Sequence, residues 1–230
     1  MAGKKVSTKS GTASGKSKPA TTPTATKRAD ARRNKSAAAA SEPPVIRCPW
    51  SGNDPLYQHY HDTEWGVPVR SDKKLFEFLI LEGVQAGLSW ITVLRKREAY
   101  RAAYDNFDWN RIAAYDEKKL DELMNNPGLV RNRLKIKASV TNAQAFIRVR
   151  EEFGTFSKYI WGFLGGEPLQ NRRKTMKDVP PVTDLATTIS KDLKKRGFTF
   201  VGPTIVYAHM QATGMVNDHL TTCFRHRELC

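Results

Sequence analysis

Apolar residues recur at helical spacing along most of the chain from about position 70 onward. Leu75, Phe78, Leu79, Glu82 and Ala86 fall on one face of a predicted helix that Ser71 can cap and that runs to about Ala86. Phe76, Ile80 and Leu81 make its other faces apolar too, as expected of a central helix. Gly87 suits a left-handed stop, and Ser89 can cap a second helix from Trp90 to about Tyr104. Two short helices follow, opened by Asp108 and Asp116, with Ile112 in the first and Leu120, Leu123 and Met124 in the second. Asn126-Pro127-Gly128-Leu129-Val130 reads as a tight turn into a long helix from Arg131 to about Phe153. Its candidate core is Leu134, Ala138, Ala145, Phe146, Val149 and Phe153. Further helices are predicted near Phe156–Leu164, after Thr183 with Leu185, Ile189 and Leu193, and from Pro203 to Thr213. Residues 166–182 read as a polar loop, and Cys48 to Pro68 as an aromatic-rich loop with Trp50, Tyr57, Tyr60 and Trp65. No convincing strand pair emerges, so the fold class expected is all-α.

Composition divides the chain. Residues 1–46 are Lys, Ser, Thr, Ala and Pro with almost no large apolar side chains, and they carry +8 of the net +15. Such a segment cannot offset its ordering entropy by burial, so a disordered basic tail (1–46) and one folded domain (47–230) are expected. The basic balance points to a polyanionic partner, nucleic acid before membrane, although a tail of this kind can also serve only solubility. No stretch resembles a signal peptide or is long and apolar enough to span a bilayer, so an intracellular protein in cytoplasm, nucleoid or nucleus is expected. The tail could equally suit an organelle address. Three Cys, an odd number, argue against a disulfide framework.

Three groups of residues carry candidate chemistry. Cys48, His61, His219 and Cys223 offer two thiolates and two imidazoles, a donor set for a closed tetrahedral zinc site. His219 and Cys223 would lie one turn apart if that segment is helical, and Cys48 and His61 could meet through their loop. Spacing alone also admits two buried Cys and two ordinary His. Cys230 and His226 are competing ligands, whereas His59 and His209 read as non-ligands. The Pro127-Gly128 turn, followed by Arg131, Arg133, Lys135 and Lys137, could present backbone N–H groups and positive charge to phosphate, or be only a turn. Lys195 to Gly202 is a second Gly-punctuated helix junction with basic residues, for which a plain interhelical turn is the simpler reading. Tyr60, Trp65 and Trp90 could stack on an extruded base, although buried aromatics are more often core. Glu82, on an apolar face, is costly without a task; its plain alternative is an ion pair with Arg95 or Arg97.

Longer motifs join these groups. They are Arg47-Cys48-x-Trp50, Asp54-Pro55-Leu56-Tyr57 and Tyr60-His61-Asp62-x-Glu64-Trp65-Gly66-Val67-Pro68, then Leu81-Glu82-Gly83-x-Gln85-Ala86-Gly87-Leu88-Ser89-Trp90-Ile91-Thr92-Val93-Leu94. Lys194-Lys195-Arg196-Gly197-Phe198-x-Phe200-Val201-Gly202 and Val216-Asn217-Asp218-His219 complete the series. In this order, from Arg47 to Cys223, the chain resembles the bacterial-type 3-methyladenine DNA glycosylase I family of the helix-hairpin-helix glycosylase superfamily. The resemblance implies an all-α fold and a monofunctional base-excision repair enzyme. It also implies a structural zinc on Cys48, His61, His219 and Cys223, and a base pocket with Glu82, Tyr60 and Trp90, to which we add Trp65.

The resemblance assigns the turn at Gly128, with Arg131 and Arg133 after it, to the DNA-anchoring hairpin. The wider superfamily often carries a catalytic Asp after that hairpin, yet residues 138–150 contain no acid, which disfavours a lyase mechanism. Leu88, in the turn between two helices, is our candidate for filling the gap left by an extruded nucleotide. The expected partner is double-stranded DNA containing alkylated bases, bound by a monomer. A non-catalytic, zinc-stapled binder of damaged DNA is the alternative from another functional class.

Overall fold

The computed structural model describes residues 45–230. The expected tail, residues 1–46, lies outside the described residues except for Val45 and Ile46. These two side chains are exposed, but the Ile46 carbonyl accepts the Phe224 N–H, so the described chain is already fixed at its start.

Among the described residues there are ten α-helices: α1 (Pro55–Thr63), α2 (Asp72–Gln85), α3 (Trp90–Ala103), α4 (Trp109–Ala113), α5 (Glu117–Asn125), α6 (Arg133–Phe153), α7 (Phe156–Gly162), α8 (Asp184–Lys195), α9 (Pro203–Ala212) and α10 (Phe224–Glu228). No helix among them is long and apolar enough to cross a membrane. The all-α expectation holds with one small departure, a parallel pair of two-residue strands. β1 (Leu169–Gln170) lies beside β2 (Val216–Asn217), pairing Leu169 with Val216 and Gln170 with Asn217. Two residues are too few to show alternation, so periodicity could not reveal them.

Helix α2 is the central element. Leu75 through Val84 are all buried, and α3, α6, α7 and α9 pack around it. A ten-residue buried run explains why every face of this helix is apolar. Gly87 follows with φ +79, a left-handed conformation that suits glycine and lets the chain reverse into α3. Ser71 and Ser89 occupy the N-cap positions, but neither side chain accepts from a backbone N–H of its helix; the Ser89 hydroxyl meets the Thr92 hydroxyl of α3 at 2.7 Å instead.

The supposed loop from Cys48 to Pro68 contains α1. Asp54 caps it, accepting from the Leu56 and Tyr57 N–H groups, and Pro55 stands at its first position. Leu134, expected in the core, is 70% exposed. It precedes the buried Ile136 by two residues, about 200° around the helix, and so faces the other way.

Candidate active site and metal centre

Four elements converge on a cavity of about 240 Å³. Tyr57 and Tyr60, one turn apart on α1, supply one wall, with Trp50 before them and Trp65 after. Glu82 and Gln85, one turn apart near the end of α2, supply the floor, and Trp90, the first residue of α3, stands beside them. Ala208 and Gln211 of α9, together with Asp218, close the far side. Met176 and Val179 line it from the connection before α8. The three aromatic residues expected in a base pocket therefore do meet Glu82. The Tyr60 and Trp90 rings are 5.5 Å apart and inclined at 46°. Phe78 stacks near Trp90 at 6.3 Å, and Trp50 meets Trp65 edge-on at 4.9 Å. Aromatic faces in general can stack on flat groups and attract cations.

Glu82 is 3% exposed, and its Oε2 has no hydrogen-bond partner among the described residues. The ion pair offered as its plain alternative is absent. Arg97 donates to Glu77 at 2.6 Å and to Glu64 at 2.9 Å, and Arg95 pairs with Asp54. Burial without a compensating cation pushes the Glu82 carboxyl up to about 8. At neutral pH it therefore holds its proton, and a cation entering the cavity would favour its release. The Trp90 indole N–H is likewise buried without an acceptor, so the cavity holds unmet hydrogen-bonding groups on two of its walls. The Tyr60 hydroxyl is pushed well above its ordinary range, first by burial and then by the Glu82 charge.

Beside the cavity, Cys48, His61, His219 and Cys223 come together as the sequence predicted. All four are buried, and their ligand atoms lie within 4.8 Å of one another. Cys48 Sγ is 3.6 Å from His219 Nδ1, and Cys223 Sγ is 3.5 Å from His61 Nε2 and 3.6 Å from His219 Nδ1. A tetrahedral ion bonded at about 2.3 Å to sulfur and about 2.0–2.1 Å to nitrogen requires sulfur–nitrogen edges of about 3.6 Å, so the donor set fits a metal. The outer contacts fit as well. His61 Nδ1 meets Asp62 at 2.8 Å, Asp62 is gripped by Arg47, and His219 Nε2 meets the Trp65 carbonyl at 3.0 Å.

The local structure differs from expectation, because His61 lies on α1 and residues 219–223 form a turn rather than a helical repeat. Gly66 makes the approach possible: it has φ +81, and a Cβ there would lie 2.9 Å from His219 Nε2. His226 and Cys230 stay outside the cluster and face each other at 3.7 Å. His209 is buried against the Leu75 carbonyl, and burial lowers it to about 4.

Of the residues expected to meet DNA, Leu88 lies beside the cavity, between its lining residues Gln85 and Trp90, and the others lie on α6 and the turn before it. Leu88 is 38% exposed in the turn between α2 and α3. Lys135 donates to the Val84 and Ala86 carbonyls at 2.7 and 2.6 Å, so it caps the end of α2. Gly128 sits in the turn between α5 and α6, where a Cβ would lie 2.9 Å from Ala99. Arg133 is engaged by Asp121 and Glu117, and Lys137 by Glu117. Arg131 has no ion pair among the described residues. Gln85, Gln211, Asp218, Met176 and Val179 were not marked from sequence as pocket residues. All but Gln85 reach the cavity from segments distant from Glu82 in sequence, and only the motifs around Gln85 and Asp218 hinted at them.

The profile of the methyladenine glycosylase family matches residues 50–226. DNA-3-methyladenine glycosylase 1 of Escherichia coli (strain K12) is 48% identical over 177 residues, covering 77% of this chain and 95% of that protein. DNA-3-methyladenine glycosylase of Haemophilus influenzae is 48% identical over 179 residues, covering 78% and 97%. A solved structure of 3-methyladenine DNA glycosylase I from Staphylococcus aureus, concerned with 3-methyladenine recognition, superposes with a TM-score of 0.76 at 39% identity, covering 77% of this chain and 95% of that one.

Proposed function

The chain belongs to the methyladenine glycosylase family, and from that premise we propose that it excises 3-methyladenine from alkylated double-stranded DNA in base-excision repair. The observation that carries this reading is the unpaired, buried Glu82 in an aromatic cavity. Methylation at N3 makes the base cationic. Aromatic faces attract it by cation–π interaction, and Glu82 gains the partner it otherwise lacks. The damaged nucleotide leaves the duplex, which costs a few kcal/mol, and Tyr60, Trp90 and Trp65 receive the base. The bond between N9 and C1′ breaks, and its electron pair leaves with the base as neutral 3-methyladenine. Water adds its oxygen to C1′ and loses a proton. A cationic leaving group needs little acid assistance, so recognition by binding is the main task of the site.

Leu88, exposed at the turn beside Glu82 and Trp90, suits the role of filling the vacated stack. For the helix-hairpin-helix contact, the geometry favours the α8–α9 junction over the Gly128 turn. The N-terminus of α9 has no side-chain cap and Thr204 is exposed, so its N–H groups remain for phosphate. The N-terminus of α6 is already capped by Asn132, and Arg133 has acidic partners, leaving Arg131 the freer cation there. We expect a monomer in solution.

Cys48, His61, His219 and Cys223 would hold zinc. Four protein donors leave no open position, so the ion would tie the N-terminal segment to the C-terminal one and support Trp65 through His219. Cys48→Ala should reduce bound zinc from about one per chain toward none and lower the melting temperature. Full zinc by metal analysis in that variant would contradict the assignment.

The function is tested by incubating the protein with methylated duplex DNA and separating the released bases. Free 3-methyladenine with an abasic, uncut strand is expected. Binding without base release would leave a damaged-DNA binder, and strand cleavage would point to a lyase.

A further inference from the structure

We propose that Gln211 is a specificity-determining residue that reads the hydrogen-bonding edge of the base, with its amide orientation set by the buried Asp218. The inference rests on the glycosylase reading and goes beyond it.

The side chain of Asp218 is fully buried. Its Oδ2 accepts from the Tyr207 hydroxyl and from Gln211 Nε2 at 2.8 Å. Its Oδ1 accepts from Asn171 Nδ2 at 2.8 Å, with Arg173 Nε 3.6 Å away. The Asp218 carboxyl accepts from the Tyr207 hydroxyl, from Asn171 Nδ2 and from Gln211 Nε2 alike, so the Gln211 amide turns its nitrogen toward Asp218. That leaves Oε1, an acceptor with no donor among the described residues, as the free end of a side chain that lines the cavity. The Gln211 backbone is held too, because its carbonyl accepts the Gly66 N–H at 3.1 Å. Gln85, the other amide on the cavity wall, has no such clamp among the described residues.

Once a cationic base has favoured release of the Glu82 proton, Glu82 and Gln211 together give the cavity two acceptors. A 6-amino purine such as 3-methyladenine offers donor hydrogens to them. A 6-oxo purine such as 3-methylguanine offers a carbonyl instead and leaves acceptor facing acceptor. A buried polar group left unmatched is the strongest source of such discrimination.

The test uses Gln211→Met, which keeps length and removes hydrogen bonding, on duplex DNA carrying 3-methyladenine or 3-methylguanine. The ratio of kcat/KM for the two bases should fall about tenfold. Asp218→Asn can donate to Gln211 and let its amide turn, so it should shift the ratio the same way, with no further shift when combined with Gln211→Met. A purely structural role for Asp218 would slow both bases alike and leave the ratio unchanged. Should Asp218→Asn fail to fold, Gln211→Met alone decides. A wild-type ratio in an active Gln211→Met variant would overturn this inference and leave the glycosylase reading intact. Release of neither base by the wild-type protein would overturn both.

Discussion

Helix α2 carries two buried glutamates five residues apart, about 140° around its axis, and the chain treats them in opposite ways. Glu77 points into an ion network. Its Oε1 accepts from Arg97 at 2.6 Å and from Arg101 at 2.8 and 3.1 Å, and Arg97 reaches on to Glu64, which Lys74 also holds. Burial pushes Glu64 up, but Arg97 and Lys74 outweigh it and keep that carboxyl below its usual range. At Glu82 nothing offsets burial, and the carboxyl rises to about 8. The same helix thus holds one carboxyl matched within the fold and one with no ionic partner among the described residues. The first supports the second, since Arg97 lies over the Phe78 ring and Phe78 stacks near Trp90. Two arginines answer one buried glutamate and none among the described residues answers the next, the contrast on which the proposed role of Glu82 rests.

Breaking the matched site should have the largest effect. Glu77→Ala leaves Arg97 buried beside Glu64 alone and should cost about 3–5 kcal/mol in denaturant unfolding. A loss within the error of the measurement would mean that the network contributes little and that the contrast with Glu82 is weaker than drawn.

Altering the unmatched site should act on stability in the other direction. The folded-state value of Glu82, near 8, lies above its ordinary 4.5. The unfolded chain therefore releases this proton first as pH rises. The fold loses stability progressively between about 4.5 and 8, and the loss is complete above that. Glu82→Gln removes that loss, so the variant should match the wild type near pH 4.5 and exceed it by a few kcal/mol at pH 8.5. Equal melting temperatures at both pH values would show that the Glu82 carboxyl is not strained in the way described.

Sequence made the helical frame legible where punctuation was strong. Gly87, the Asp108 and Asp116 caps, Thr183 and Pro203 marked real helix ends. Helix α1 escaped notice although Asp54-Pro55 is a good start signal, because its buried residues are Tyr60 and His61 rather than an aliphatic stripe. Glu82 was conspicuous because a carboxylate in an apolar run is expensive wherever it ends up. Which arginine would answer it could not be read, since Arg95 and Arg97 both follow it within one helix and only the tertiary arrangement sends them to Asp54, Glu64 and Glu77. Gln211 was silent for the same reason, and the motif around Asp218 did not reveal its partner. An amide and a carboxylate seven residues apart acquire meaning only when α9 and the turn after β2 bring them together.

The central claim is that Glu82 acts as an unpaired carboxylate answered by a cationic base. The most direct measurement is the pH dependence of kcat/KM for 3-methyladenine excision from duplex DNA, for the wild type and Glu82→Gln side by side. This parameter reports the ionisation of the free enzyme. The wild type should rise with pH and level off above about 8, where the free carboxyl is ionised, while Glu82→Gln should be flat and roughly a hundredfold lower on that plateau. Coincident profiles of equal height would contradict the account.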